Sequence, residues 1–300
     1  MKTSGGGISL AVGFFDGVHL GHRAILAGAD AVFTFDDHPM KVLAPARSPQ
    51  LIMAPQERLD YLKTIVSDVF AYSFTPQFAQ LSPRAFAETV LKPLNVREVR
   101  CGANWRFGHG GVGTPALLRE FGYTVTVVPF VEAGGEIVSS TRIRAAIQAG
   151  DLRLAATLLG RNWTLSGTLK SGKGLGHQEG VATLNLHPEK GRVTPPLGVY
   201  AVRYARCPAI ANWGVAPTCG SDAWKEPVLE VHLIGDEEAN SAALARDARE
   251  VEFVSFLREE RRFETMEALY QQMREDIVRC RTFLAQVSIA PKTARSQAED

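Results

Sequence analysis

The periodicity of apolar residues changes near Gly160, and this change constrains the fold more than any other feature of the sequence. Before it, short apolar runs alternate with segments of helical periodicity, an order that predicts a parallel sheet with crossover helices. The runs that predict strands are residues 8–14, 31–35, 69–74, 96–101 and 123–129. Helical patterns at 141–149 and 152–159 close this half, which we therefore predict to be a Rossmann-like α/β domain over residues 1–160.

After Gly160 the pattern consists of short strands with few helices between them. The predicted strands are residues 163–170, 198–204, 209–213, 228–233 and 249–254. Because closure removes the exposed edges of such strands, we predict a small antiparallel β-barrel over residues 161–290. Apolar residues at helical spacing from Met266 to Leu284 predict a C-terminal helix, and residues 291–300 are predicted to be a polar tail.

The composition argues against several classes of partner. Lys and Arg number 33 against 32 for Asp and Glu, a net charge of +1, so no broad basic surface for nucleic acid or an anionic membrane is expected. The four cysteines are widely spaced without a Cys-x-x-Cys pair, a usage typical of reduced thiols in a cytoplasmic protein. Neither a signal peptide nor a long apolar span is expected, and no motif indicates an oligomeric state.

Two histidines follow the first predicted strand, separated from it by an Asp-Gly turn at residues 16–17. A helix is predicted to begin near Leu20, so His19 and His22 lie at its N-terminus. Free backbone N–H groups and the positive end of the helix dipole attract phosphate there, and two imidazoles on one helical face can hold its oxygens. Gly21 would let a substrate approach the backbone. The alternative is that both histidines are ordinary loop and cap residues.

A second candidate phosphate site lies at residues 139–144. Ser140 is a suitable N-cap for the helix that follows, and Gly150 is suited to end that helix. Hydroxyl groups and Arg142 therefore gather at a helix N-terminus, where the guanidinium can bind phosphate oxygens in a bidentate way. A Ser/Thr cap followed by Arg is commonplace on its own. Together with the histidine pair it predicts a site for further phosphate groups.

The segment from Gly13 to His22 resembles the HxGH nucleotidyltransferases. Residues 33–39, 74–79 and 102–108 further resemble the adenylyltransferase domain of the bacterial bifunctional riboflavin kinase/FMN adenylyltransferases, the FAD synthetase family. The resemblance implies that both histidines stabilise charge on the α-phosphate of ATP while FMN displaces pyrophosphate, and that the segment around Arg142 clamps the triphosphate. Positioning and electrostatics would carry this reaction without a covalent intermediate.

The same resemblance implies ligands for individual residues. Those implied to bind ATP or its phosphates are Gly13, Phe14, Gly21, Asn104, Ser139, Ser140, Thr141 and Arg142. Those implied to lie near the flavin are Asp16, Phe35, His38 and Pro39. From the residues alone, the segments 33–39, 74–79 and 102–108 are polar loops after predicted strands, which is where open α/β sheets bind ligands.

A glycine-rich segment at residues 108–113 satisfies the G-x-G-x-x-G pattern of dinucleotide-binding proteins. It does not follow its strand directly, and Thr114 and Pro115 intervene before the next helix, so a dinucleotide fingerprint is not predicted. We interpret the segment either as a loop over the nucleotide site or as a simple connection.

The second half has a candidate site of its own. A glycine-rich segment contains Gly172 and Lys173, which we expect to bind ATP phosphates. It precedes an extended stretch in which Thr183 and Asn185 alternate with apolar residues. Alternate side chains of a strand share a face, so both residues can present hard oxygens to Mg²⁺ and a nucleotide phosphate. On a later strand, Glu230 is placed to act as a general base that takes a proton from a hydroxyl. The alternative is a solvated strand face.

This second region is similar to the riboflavin kinase barrel, in which a Pro-Thr-Ala-Asn motif binds metal and ATP and a Leu-Glu-Val-His-like strand carries the catalytic base. Ala182 and Leu184 stand where that motif has proline and alanine, and residues 235–240 lack the expected Leu-Tyr-Gly-like motif. Loss of the proline removes a fixed φ beside Thr183. The first crossover also departs from the family pattern, because only residues 20–30 are available for its helix.

The resemblance therefore implies an enzyme with two activities. The barrel would phosphorylate riboflavin to FMN, and the first domain would join FMN to AMP from ATP to give FAD, with Mg²⁺ bridging phosphates in both steps. One alternative is an FMN adenylyltransferase with an impaired kinase domain. Two others are an adenylyltransferase of nicotinamide mononucleotide or phosphopantetheine, and a flavin-binding regulatory protein.

Overall fold

The computed structural model describes residues 6–171, 183–215, 227–246, 248–261 and 263–286. These fall into two compact units. The first contains the described residues of Met1–Arg144, Leu158–Gly160 and Gly191–Val193, and the second contains those of Ala145–Thr157, Arg161–Lys190 and Thr194–Asp300. The sequence predictions for Gly172, Lys173, Ala182 and the polar tail concern residues outside the described ranges. Among the helices of the described part, none is long and apolar enough to cross a membrane.

The first unit contains a five-stranded parallel sheet, which confirms the predicted Rossmann-like class. Its strands are β1 Ile8–Val12, β2 Ala31–Phe35, β3 Asp68–Tyr72, β4 Val96–Gly102 and β5 Thr124–Val128. Helices α1 Leu20–Leu26, α2 Met40–Leu43, α3 Pro55–Lys63, α4 Pro76–Ala79, α5 Pro83–Phe86 and α6 Pro115–Glu120 lie between them. A short hairpin follows, β6 Glu132–Ala133 and β7 Glu136–Ile137. The next helices are α7 Ser140–Gln148 and α8 Leu152–Leu159, of which residues 145–157 belong to the second unit.

The strand order β3-β2-β1-β4-β5 places the topological switch between β1 and β4. Leu10, Ala11 and Val12 of the central strand are almost completely buried, because helices cover both faces of a parallel sheet. In open α/β sheets the crevice at the carboxyl ends of the strands beside such a switch binds ligands. The loops after β1 and β4 are therefore the part of this unit in which a site is expected. Helix α1 has only seven residues, in agreement with the short first crossover predicted from the sequence.

The second unit contains a closed six-stranded barrel in the order β10-β11-β12-β9-β8-β13, which confirms the predicted antiparallel barrel. Its strands are β8 Trp163–Ser171, β9 Thr183–Pro188, β10 Gly198–Tyr204, β11 Cys207–Gly214, β12 Val228–Leu233 and β13 Glu250–Arg258. Alternate side chains of a strand point to the interior of the barrel; in β12 these are Leu229, Val231 and Leu233, which are buried. Helix α9, Glu237–Leu244, was not predicted; the Asp236 side chain caps it by accepting the Ala239 N–H at 2.8 Å.

A long C-terminal helix, α10 Met266–Gln286, packs on the outer face of the barrel. Cys280 and Leu284 of this helix form an apolar cluster with residues of three strands, Val199, Ala201, Ile210, Val254 and Leu257. One ion pair lies beneath the helix: the Arg258 guanidinium contacts the Asp276 carboxylate at 2.7 Å, and both side chains are largely buried. Gln272 donates a further hydrogen bond to the other carboxylate oxygen, at 3.1 Å.

Breaking this pair should destabilise the barrel. We expect Asp276→Asn to lower the free energy of unfolding of the second unit by about 3–5 kcal/mol, because it leaves the Arg258 cation buried without its partner charge. Urea unfolding followed by circular dichroism measures the loss. Glu275→Gln, at an exposed position of the same helix, is the matched control and should change stability by less than about 0.5 kcal/mol. Equal losses of unfolding free energy in the two variants would contradict a stabilising role for the Arg258–Asp276 ion pair.

Candidate active sites

The loop between β1 and α1 has an unusual backbone. Phe15, Gly17 and Val18 have φ values of 60°, 79° and 40°, in the left-handed region that L residues other than glycine rarely adopt. Val18 is the most unfavourable, because a β-branched side chain is poorly tolerated there. Both apolar residues are buried, which fixes this conformation. The loop therefore makes a tight, strained turn directly before the two histidines, and such strain clusters at functional sites.

The two histidines lie together at the start of α1. His19 is the N-cap, and its Nδ1 accepts the His22 backbone N–H at 3.2 Å. The imidazole rings are stacked, with centroids 3.5 Å apart, and Phe15 packs edge-on against His22. Because Nδ1 of His19 accepts a hydrogen bond, a neutral His19 carries its proton on Nε2. The N-cap arrangement and a role in binding phosphate are therefore compatible.

His22 remains neutral at physiological pH. Burial lowers its pKa well below the usual value, and the charges of His19, Arg58 and Arg144 lower it further. Its Nδ1 is buried and has no hydrogen-bond partner among the described residues. A buried polar atom without a partner is costly unless a ligand completes it. The loop thus combines a positive local potential with a polar atom available to an anionic ligand.

Gly21 packs closely against the ring of the first histidine. A Cβ atom at this position would lie 3.2 Å from Cε1 and 3.3 Å from Nδ1 of His19. The absence of a side chain therefore lets the His19 ring lie against the first turn of α1. The sequence analysis expected Gly21 to admit substrate to the backbone; its observed neighbours are the His19 ring and the Val138 carbonyl.

The N-terminus of α7 lies beside the same loop. Its N-cap is Ser139, whose Oγ accepts the Arg142 N–H at 3.2 Å, so the expectation that Ser140 caps the helix was wrong by one residue. The Ser140 hydroxyl instead donates to the Asp16 carbonyl at 3.0 Å. Gly150 follows the helix with a φ of 77°, as its predicted stop role requires. Thr141 occupies the first turn of α7.

Arg142 holds the hairpin that precedes α7. Its guanidinium donates to the carbonyls of Ala133 and Glu136 at 2.9 and 3.1 Å, and it contacts the Glu136 carboxylate at 3.0 Å. Glu136 is largely exposed, so its attraction for Arg142 is weak. An anionic ligand can replace that carboxylate at small cost. The arrangement is compatible with the clamp that the resemblance implies.

Arg58 on α3 joins the ends of β1 and β2, a role that the sequence analysis missed. It is buried, and it donates to the Phe14 carbonyl and the Thr34 hydroxyl, both at 2.8 Å. It also donates to the Phe35 and Asp36 carbonyls. One signal was available in the sequence: Arg58 precedes the buried Leu62 by four residues and so shares the apolar face of α3.

The implied flavin residues lie at the carboxyl ends of β1 and β2. The centroid of the Phe14 ring lies 4.1 Å from the Arg58 guanidinium carbon and 4.6 Å from the centroid of the His38 ring. His38 is half-buried, and burial lowers its pKa, opposed in part by Asp16. Phe35 packs in a cluster of aromatic rings that includes Phe33, Phe74 and Phe78. Pro39 immediately precedes α2.

The loop after β4 contains Asn104, which is exposed beside Gly102. The glycine-rich segment further along closes on itself, because Phe107 and Gly113 exchange backbone hydrogen bonds. His109 fastens it to the Leu81 carbonyl at 2.7 Å and to the Ala79 carbonyl at 3.1 Å. Helix α6 begins only at Pro115. The segment is therefore not a dinucleotide fingerprint, as the spacing predicted.

Strand register brings the second candidate site together on the outer face of the barrel. Asn185 pairs with Glu230, and Glu230 pairs with Asn212 on the next strand. Paired residues of antiparallel strands point to the same face, so these three polar side chains form a row. In the adjacent row Thr183 pairs with His232, and the Thr183 hydroxyl lies 3.0 Å from Nδ1 of that histidine. His232 was not among the predicted site residues.

The electrostatics of this site favour a base. Burial raises the pKa of Glu230, and the nearby carboxylate of Glu260 raises it further. Glu260 is held at the site by Asn212, whose Nδ2 donates to it at 3.0 Å. Burial lowers the pKa of His232, so this imidazole is neutral. A carboxylate with a raised pKa is a better proton acceptor for a hydroxyl than an ordinary one.

Asn185 supplies an oxygen suited to a hard cation. Its Oδ1 is buried and has no hydrogen-bond partner among the described residues. Across the described ranges there is no cluster of three or more His, Cys, Asp or Glu side chains that could hold a metal. Mg²⁺ often binds through one or two protein oxygens together with substrate phosphates, and the donor set of Thr183 and Asn185 fits that mode.

Comparison with family models matches the two parts of the chain separately. Residues 2–142 match the model described as FAD synthetase, and residues 159–284 match the model described as riboflavin kinase. Similar proteins include bifunctional riboflavin kinase/FMN adenylyltransferases of Listeria monocytogenes, 31% identical over 93% of both chains, and of Escherichia coli, 32% identical over 92% of this chain and 93% of that one. The Bacillus subtilis protein of the same name is 29% identical over 89% of each.

A solved structure also matches. It is described as a macrolide-efflux protein from Streptococcus pneumoniae, and it has a TM-score of 0.77, 28% identity, and coverage of 93% of this chain and 95% of that chain. The word efflux in that description refers to the Streptococcus protein. Both family models that match this chain are those of enzymes. With one region of each kind and relatives at 31% and 32% identity along nearly all of its length, the chain belongs to the family of bifunctional riboflavin kinase/FMN adenylyltransferases.

Proposed function

We propose that the chain makes FAD from riboflavin in two ATP-dependent steps, FMN formation at the barrel and adenylylation of FMN in the first unit. The observation that carries the proposal is the meeting of two helix N-termini. The stacked histidines lie at the start of α1, and the loop that leads into this helix contains Asp16, whose carbonyl accepts the Ser140 hydroxyl of α7. Helix N-termini bind phosphate groups. Two of them side by side suit a triphosphate better than a single monophosphate.

In adenylylation, an oxygen of the FMN phosphate attacks the α-phosphorus of ATP, and the bond to pyrophosphate breaks. The attacking phosphate is already an anion, so the step requires no strong base. We assign to His19 and His22 the stabilisation of charge on the α-phosphate. N–H donors held in place at the start of a helix are effective at this task because they need no reorganisation as charge develops.

The remaining ligands of this site follow from position. We propose that ATP and its phosphates contact Gly13, Phe14, Gly21, Asn104, Ser139, Ser140, Thr141 and Arg142. Phe35, His38 and Pro39 would lie beside the flavin, since aromatic side chains at the carboxyl ends of β1 and β2 offer a surface for stacking. Arg58 and Arg144 lower the pKa of His22 through their charge, and the same positive potential favours the anionic substrates.

At the barrel, Glu230 would take the proton of the riboflavin ribityl hydroxyl as that oxygen attacks the γ-phosphorus of ATP and ADP leaves. Gly172 and Lys173 would contact the ATP phosphates. We propose that Thr183 and Asn185 hold Mg²⁺, which would neutralise phosphate charge in the transition state. The orphaned Oδ1 of Asn185 supports this assignment.

The functional boundaries we propose are residues 1–160 for adenylylation and 161–290 for the kinase, with 291–300 as a tail. We also infer a cytoplasmic location. Cys101, Cys207 and Cys280 are buried free thiols, as is typical of proteins in a reducing compartment.

The two steps should separate by mutation. We expect His22→Ala to abolish FAD formation while FMN formation continues, and Glu230→Gln to lower FMN formation by about 10²- to 10⁴-fold while FAD still forms from added FMN. A chromatographic time course with riboflavin or FMN, ATP and Mg²⁺ measures both. Each variant serves as the folded control for the other.

Three results of that assay would argue against the proposal. If both activities fell together in folded variants, the division of labour between the units would be wrong. FAD from FMN but no FMN from riboflavin in the unaltered protein would indicate an adenylyltransferase with an impaired kinase. Flavin binding without turnover of either substrate would indicate a regulatory flavin-binding protein.

The magnesium assignment predicts a second effect. Asn185→Leu removes the Oδ1 oxygen at similar volume, so the Mg²⁺ concentration needed for half-maximal FMN formation should rise, while FAD formation from FMN is unchanged. Mg²⁺ titrations of the initial rates measure this. Asn240→Ala, in α9, is the control and should leave the Mg²⁺ dependence unaltered. An unchanged Mg²⁺ requirement in Asn185→Leu would remove Asn185 from the metal site.

A further inference from the structure

We propose that Asp16 and Arg144 are positioning residues for adenylylation. Their ion pair holds the N-terminus of α7 at a fixed position relative to the histidine loop, the segment between β1 and α1 that ends at His19. The inference rests on the proposed function and deepens it. Two groups of phosphate ligands, one on each helix, can act on a single triphosphate only if the helices keep a fixed separation. Asp16 lies in the loop that leads into α1, and it contacts α7 directly.

The Asp16 carboxylate is bound by protein groups on several sides. Oδ1 accepts the backbone N–H groups of Ile52 and Met53 at 3.0 and 3.2 Å, and Oδ2 accepts an Arg144 N–H at 2.9 Å. The side chain is 3% exposed. A buried carboxylate is stable only when it is paired and hydrogen-bonded, and Asp16 satisfies both conditions within the protein.

A second bond from the same residue reaches α7. The Asp16 backbone carbonyl accepts the Ser140 hydroxyl at 3.0 Å, while Arg144, one turn further along α7, binds the carboxylate. Arg144 is itself oriented by the Gln50 carbonyl, to which its Nε donates at 2.7 Å. The helix is therefore fixed to the loop at two points separated by one helical turn, which restricts both its distance and its rotation.

The backbone around Asp16 explains why such support is needed. Phe15 precedes it and Gly17 and Val18 follow it, all three with positive φ. Strained backbone persists only where the surrounding structure over-determines it. The bonds to Ile52, Met53 and Arg144 supply this constraint between β1 and His19. Loss of the ion pair should let the loop relax and move His19 away from the position in which its ring stacks on His22.

The contacts of Asp16 favour support over flavin binding. The sequence resemblance implied that Asp16 lies near the flavin. Its carboxylate is instead engaged with two N–H groups and a guanidinium, and its carbonyl with a hydroxyl. A flavin contact would have to displace one of these partners from a buried position. Ligand affinity and catalytic rate therefore provide a test that separates the two roles.

The test measures FMN affinity and turnover separately in the full-length protein. Asp16→Asn, Arg144→Gln and the double variant are assayed for FAD formation from FMN and ATP, with kcat and KM determined for each substrate. FMN binding is followed by quenching of flavin fluorescence. FMN formation from riboflavin reports whether the second unit is intact, and circular dichroism reports whether the fold is retained. If Asp16→Asn fails to fold, Arg144→Gln carries the test alone.

We expect each single variant to lower kcat for FAD formation by about 10- to 100-fold, because misplacement of about 1 Å has an effect of this size. FMN affinity and FMN formation should be unchanged. The double variant should lose no more than the worse single variant, since both act through one bond. Asp30→Asn, which alters a carboxylate that accepts the Ser9 N–H at 2.8 Å, is the matched control and should retain full FAD formation.

Three results would overturn the inference. Weaker FMN binding with unchanged kcat at saturation in Asp16→Asn would make Asp16 a flavin ligand. Additive losses in the double variant would show that the two residues act independently, and full activity in both single variants would show that the ion pair has no role. Absence of FAD formation in the unaltered protein would overturn the proposed function itself, and that result is recognised before any variant is made.

Discussion

The adenylyltransferase unit depends on a buried cation, Arg58, at the carboxyl ends of strands β1 and β2. Parallel strands leave their last carbonyl groups without partners in the sheet, and buried carbonyls need donors. Arg58 supplies donors to the ends of β1 and β2 at once and stacks on the Phe14 ring. Burial lowers its pKa to about 10, opposed by the charges of Asp16, Asp37 and Asp36, so it stays protonated at neutral pH. Both strands can therefore end at the same level of the sheet. The loops that follow them do not have to supply donors to these carbonyls and can form a site instead.

In the barrel, the register of the strands determines which side chains meet at the candidate site. A shift of β9 by one residue against β12 would turn Thr183 and Asn185 to the opposite face, whereas the observed pairing aligns them with Glu230 and His232. Helix α10 covers the apolar part of the outer face and is fixed there by the Arg258 and Asp276 pair. Two residues after Arg258 lies Glu260, which contributes to the raised pKa of Glu230. The helix and the candidate base are thus linked through one end of β13.

Much of the fold could be predicted because its strands are buried on one or both faces. The strands at residues 31–35, 198–204 and 228–233 match the predicted limits, since continuous or alternating apolar runs leave little ambiguity there. The cap of α7 was misplaced because Ser139 and Ser140 are chemically equivalent as caps. Helix α9 was missed because its eight residues carry little apolar periodicity. The partners of Arg58 and His232 are distant in sequence, so no local pattern could reveal them.

The connection between β9 and β10 has a consequence for dissecting the protein. Leu51 donates its N–H to the Gly191 carbonyl at 2.7 Å and accepts the Val193 N–H at 3.0 Å. Arg192 between them is buried and reaches the Glu57 carboxylate at 3.1 Å. Three residues encoded after the barrel has begun thus complete the first unit. A gene fragment that stops at residue 160 would encode every proposed ligand for adenylylation and still leave that unit without part of its own interior.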